Sequence, residues 1–145
     1  MKFVAPLVLC IAAAVAAEND DSKLASEVRA LSEVNEFALD VEVFGKRPHG
    51  EVLLARILKR EDKIRPLIEV FNRGTPEAKA YALAAFHHLA PELFERCRKD
   101  LVGSYNPKVR VLRGGVIGEG TFLELVIRIE HGEFDACVRA HAKKG

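Results

Sequence analysis

The sequence predicts a mainly α-helical fold with a small β-hairpin near residues 109–117. Three observations predict it. Apolar residues recur at helical spacing through most of the chain. Gly and Pro interrupt them at helix-length intervals. The stretch "VRVLRGGVIG" instead alternates apolar with basic residues up to a glycine pair. The chain has 145 residues, 49% of them hydrophobic, enough for one domain with its own core and too few for two. With no Trp, 2 Tyr and 8 Phe, that core must rest on Leu, Val, Ile and Ala.

The opening "MKFVAPLVLCIAAAVAAEND" has the layout of a secretory signal peptide: Lys2, a short apolar run from Phe3 to Ala17 ending in small residues, then a polar segment. A bilayer-spanning helix takes ~20 apolar residues, more than this run supplies. The expected organisation is a leader over 1–17 and a single domain over 18–145, exported to the periplasm or outside the cell. Leu9 stands before Cys10 where a lipid-attachment motif wants a small residue, so lipidation is not expected. Removing the leader takes Lys2 and no acid, leaving 21 basic residues against 21 acidic ones. A nucleic-acid partner needs a basic face that releases counterions, and balanced charge argues against one. The charges are interleaved, as in "RILKREDKIR", like those of solvated helix faces.

"DDSKLASEVRALSEVNEF" places Leu24, Val28, Leu31 and Val34 at helical spacing. Val41 and Val43 alternate with acids in a short extended piece, and Gly45, Pro48 and Gly50 mark a loop. Leu53, Leu54, Ile57 and Leu58 form one apolar side; Ile64, Leu67, Ile68 and Phe71 form another, with a break near Glu61. Pro66 falls early in that second helix, where a missing N–H is tolerated. Gly74 is expected to close it in the left-handed conformation. Thr75 and Pro76 then read as N-cap and first helical residue, with Glu77 suited to the positive helix end. Ala78, Ala82, Ala85 and Leu89 form the next stripe, flanked by Tyr81, Leu83 and Phe86. Pro91 restarts the helix, and Leu93, Phe94, Cys97 and Leu101 point one way. After the hairpin, Thr121 caps a helix bearing Phe122, Leu125, Val126 and Ile129. Beyond Gly132, Phe134, Cys137, Val138 and His141 share helical spacing, and Lys143 and Lys144 suit the negative end. About six helices result.

An internal echo links two segments. "GTPEAKAYALAAFHHLAPELFERC" and "GTFLELVIRIEHGEFDAC" each open on Gly-Thr, run one helix, break, and end in Phe-acid-x-Cys. Paired helices of this size bury their apolar faces by stacking. "NRGTPEAKAYALAAFHHLAPELFERCRKDL" resembles a HEAT-like helical hairpin. It is also similar to a group of small bacterial secreted proteins sharing a G-T-P-x-x-K/R-x-Y-A-L pattern, matched here by Gly74, Thr75, Pro76, Lys79, Tyr81, Ala82 and Leu83. The resemblance covers roughly residues 51–101 and implies a short stack of helical hairpins and secretion. Members of that group often carry a Cys in the glycine-rich segment, where Gly115 stands here. The resemblance implies no catalytic residue.

Residues that carry chemistry are few. Cys97 and Cys137 lie on apolar stripes and read as buried packing residues or, in an oxidising compartment, as a disulfide closing a loop of roughly forty residues, worth ~3–4 kcal/mol. His87 and His88 point about 100° apart on a helix and cannot easily share a metal. Cys137 and His141 are i, i+4, a workable spacing for two ligands, and the sequence offers no third at motif spacing. "GGVIGEG" matches no phosphate-binding loop. The sequence assigns no catalytic, cofactor or metal residue and favours a non-enzymatic role: an exported interaction or scaffold module with a protein partner. A structural or oligomerising envelope protein, and a small enzyme or thiol-dependent protein, are the alternatives.

Overall fold

The computed structural model describes residues 5–101 and 103–143; side chains are described from residue 17 onward. Among the described residues, seven helices and one hairpin follow in chain order: α1 (Ala5–Ser32), α2 (His49–Leu58), α3 (Ile64–Arg73), α4 (Pro76–Leu89), α5 (Pro91–Leu101), β1 (Lys108–Arg113), β2 (Val116–Thr121), α6 (Phe122–Glu130) and α7 (Asp135–Ala142). The fold is therefore mainly α with a small β-hairpin. The expected leader, residues 1–17, falls largely on positions whose side chains lie outside the described set, as does Lys144. Among the described residues no helix is long and apolar enough to cross a membrane.

The local signals act where they stand in the chain. Thr75 caps α4, its hydroxyl accepting from the Ala78 amide at 3.1 Å, and Pro76 opens the helix. Thr121 and Glu124 form a reciprocal capping box at the start of α6. The hairpin turns at Gly114 and Gly115, both left-handed with φ of 53° and 81°, which a two-residue turn requires. Its second strand runs on to Thr121. Val109 and Val111 face the core, and Phe37 joins β1 through a parallel bridge to Val111.

Helix α4 is the axis of the core. It touches α1, α3, α5, α6, α7 and β1, and every residue from Glu77 to Phe86 except Lys79 is buried. A helix apolar all round belongs inside a fold, and the alanines of "AKAYALAA" let six neighbours approach. Burying side chains such as Leu83 and Phe86 contributes ~1.5–3 kcal/mol each. Glu77 is buried among them; its carboxylate accepts from the Arg110 amide at 3.0 Å and ties α4 to the hairpin.

Two expectations need correction. Gly74 is extended (φ −78°, ψ 166°) instead of left-handed. It is required by proximity: a Cβ there would sit 2.5 Å from the Val70 carbonyl and 2.6 Å from the Ala78 Cβ. The buried face of α3 runs through Leu67 and Val70 and leaves Ile68 37% exposed, because α1 and α4 cover a face rotated from the one that spacing suggests. The 41–43 piece lies outside the named strands and ends in an isolated bridge from Val43 to Lys46 across a tight turn.

Candidate functional site

Four side chains from distant parts of the chain converge where α2 meets α7. Glu51 stands in the first turn of α2 and has no exposed surface. Arg47, four residues earlier in the loop, places Nη1 2.6 Å from Glu51 Oε1. Cys137 and His141 project from one side of α7, as their i, i+4 spacing dictates. The Cys137 thiol donates to Glu51 Oε1 at 3.4 Å, and His141 Nε2 lies 2.8 Å from the same oxygen. The other carboxylate oxygen, Oε2, accepts from the Asp40 amide at 3.2 Å. Asp40 is left-handed (φ 60°), a conformation Asp tolerates better than most residues.

The chemistry of the neighbours bears on the tautomer of His141. Nε2 lies 3.2 Å from Arg47 Nη1 as well as 2.8 Å from Glu51. A guanidinium only donates. The shorter contact to a carboxylate favours the tautomer with its proton on Nε2, in which Arg47, His141 and Cys137 are three donors to one buried oxygen. A buried carboxylate is costly unless paired and hydrogen-bonded, and this one is both. The partners differ in access: the Arg47 side chain is 50% exposed and that of His141 13%.

Burial pushes the Cys137 thiol up to about 12, and the Glu51 carboxylate, by charge and by accepting from the thiol, adds to the shift. The thiol is protonated at neutral pH. A nucleophilic cysteine needs the opposite setting, electropositive and partly open. Burial raises the Cys97 thiol too, with Asp100 adding to it.

Cys97 and Cys137, read above as a candidate disulfide, are both buried free thiols, on α5 and α7; the Cys137 sulfur is turned onto α2. His141 joins Cys137. His87 lies elsewhere on α4: its Nδ1 is 2.8 Å from Asp135 Oδ1, and its ring stands edge-on to Phe94 at 4.9 Å between centroids. Glu51 and Arg47 were missed. Glu51 reads locally as an ordinary acid in a helix first turn, and nothing in its neighbourhood along the chain announces a partner 86 or 90 residues away.

Comparison of the chain with family models, curated proteins and solved structures finds no match.

Proposed function

We propose that this chain is an exported, non-enzymatic binding module that engages a protein partner through the loop bearing Phe44. One observation carries the reading. Phe44 is 100% exposed and left-handed (φ 51°). Val43 and Lys46 exchange both backbone hydrogen bonds, at 2.9 and 3.0 Å, closing a two-residue turn over Phe44 and Gly45 (φ 73°). Such turns prefer Asn-Gly or Asp-Gly, and a bulky residue in the left-handed region costs about 1–2 kcal/mol. An apolar ring is thus held in water at a position where a polar residue is more stable. Aromatic side chains are the commonest anchors of protein interfaces.

The surroundings support this reading. Val41, on the same loop, lines a cleft of ≈ 390 Å³ whose other walls include Phe37, Phe134, Leu112, Arg113 and Arg128. Its edges carry both signs, Arg113 and the Arg128–Glu133 pair beside Asp40, so it offers polar contacts to a partner segment that follows the anchored ring. The helical-repeat reading draws support from two hairpins, α4–α5 and α6–α7, each opened by a capping Thr. Export rests on the layout of residues 1–17.

Phe44→Asn tests the function without harming the fold. Cross-linking in the native envelope should retrieve a defined protein with the wild type and lose it with the variant, while the variant's denaturation midpoint stays level or rises. Retrieval of the same proteins by both chains refutes the reading. Export is decided by intact mass from the native host: loss of residues 1–17 is expected, and a soluble cytoplasmic form retaining them counts against it.

A structural, self-associating role is the second reading. It is favoured by Leu123 and Ile127, 47% and 43% exposed one turn apart on α6. Sedimentation that shows a concentration-dependent oligomer abolished by Leu123→Glu would put it first.

A further inference from the structure

We propose that Glu51, Cys137 and His141 form a binding site for a divalent cation of the zinc class. Each side chain offers one ligand atom, and these atoms lie within 4.8 Å of one another. The proposal goes beyond the binding role argued from Phe44 and does not depend on it.

The donor set points to the metal. A sulfur, an imidazole nitrogen and a carboxylate oxygen together select zinc and its borderline neighbours, while calcium and magnesium want oxygen alone. The geometry agrees. A tetrahedral zinc ion with bonds of about 2.0 Å to nitrogen and oxygen and 2.3 Å to sulfur holds N and O roughly 3.3 Å apart and sulfur roughly 3.5 Å from either. Cys137 Sγ is 3.4 Å from Glu51 Oε1. His141 Nε2, at 2.8 Å, needs to withdraw by about half an ångström to meet that spacing.

The supporting shell is present as well. Cys137 and His141 share one face of α7, so one rigid helix sets their separation. Glu51 is wholly buried, and the Asp40 amide holds its second oxygen, the kind of outer bond that orients a carboxylate ligand. Asp40 is left-handed where its amide meets that oxygen. Three protein ligands leave a fourth position, the count of zinc sites that keep an open place for a further ligand.

Arg47 is the competitor. Its guanidinium sits on the same Oε1 that the cation would take. Half exposed, it can turn out to solvent; the cation then replaces it on Oε1, the Cys137 thiol releases its proton to solvent on binding, and the His141 proton is carried on Nδ1 instead of Nε2. Binding is therefore weakened by Arg47 and strengthened by its removal.

The test uses the full chain without a polyhistidine tag, carrying Cys10→Ser and Cys97→Ser so that Cys137 is the one thiol, and Co²⁺ as the probe. One equivalent should bind with tetrahedral visible bands and a thiolate-to-cobalt charge-transfer band, both bleached by Zn²⁺. Arg47→Gln should tighten binding several-fold. Cys137→Ser should abolish the charge-transfer band, and His141→Gln should weaken binding by roughly ten-fold or more. If Cys137→Ser fails to fold, the spectra of the parent and of Arg47→Gln still decide the matter. The proposal is overturned if neither folded chain, checked by circular dichroism, develops the charge-transfer band in excess Co²⁺. It is equally overturned if the band survives in Cys137→Ser. The cluster is then a hydrogen-bond network that neutralises a buried carboxylate.

Discussion

The Tyr81 hydroxyl bonds both backbone polar groups of Ala38: it accepts from the amide at 2.9 Å and donates to the carbonyl at 3.0 Å. One side chain of the central helix thereby satisfies an irregular segment 43 residues away, and the Tyr81 ring packs at 4.7 Å from Phe37. Removing the hydroxyl strands two buried backbone groups, at about 1–3 kcal/mol for each unsatisfied group. Tyr81→Phe should lower stability by ~2–3 kcal/mol in urea denaturation. A loss below half that would mean that water replaces the hydroxyl.

The same residue predicts an alkaline limit. Burial raises the Tyr81 phenol well above its ordinary 10.0. The folded state holds the proton after the unfolded chain has lost it. The stability this contributes is complete below pH 10 and declines as pH rises from there toward the folded value. Denaturation midpoints should therefore fall more steeply above pH 10 in the wild type than in Tyr81→Phe, narrowing the gap between them. Parallel curves would contradict this.

Gly50 lies in the first turn of α2, directly under that ring. A Cβ at this position would stand 2.5 Å from Tyr81 Oη and 2.6 Å from Cζ. In an open helix Gly→Ala stabilises by about 1 kcal/mol. Here the ring is held by its bonds to Ala38, and overpacking should dominate. Gly50→Ala is expected to destabilise by ~1–3 kcal/mol. A raised thermal midpoint would show that the ring can move aside.

Thr75 joins three segments. Its hydroxyl caps α4 at the Ala78 amide and donates to the Val34 carbonyl, and its own amide donates to the Ser32 carbonyl at 3.0 Å. Thr75→Ala should cost ~1–2 kcal/mol, and Thr75→Ser, which keeps the hydroxyl, should recover most of it. Equal midpoints for Ala and Ser variants would place the stabilisation in the backbone bond alone.

The two thiols separate packing from chemistry. Burial holds Cys97 and Cys137 protonated, with Cys137 pushed up to about 12. In a Cys10→Ser chain with chelator present, both should be silent to a thiol reagent at pH 7 and appear together on denaturation, without reductant. A fast native thiol would restore the thiol-dependent reading, and thiols released only by reductant would mean that the cross-link forms in solution.

What the sequence determined by itself is the part of the fold governed by contacts a few residues long. The Thr75-Pro76 start of α4, the Thr121–Glu124 box, the restart at Pro91 and the turn at Gly114-Gly115 are decided by backbone groups that neighbouring side chains satisfy. The helical class follows from them and from apolar spacing. Tertiary structure decided the rest. Spacing named Ile68 for the core where packing chose Val70, because the buried face of a short helix is set by what covers it. Gly74 and Gly50 are glycines for reasons of proximity, to Ala78 and to Tyr81, that no turn rule encodes. The site is the clearest case. Cys137 and His141 were legible as a pair because one helix spaces them, but Glu51 was not, since the bond between α2 and α7 spans 86 residues and leaves no local trace.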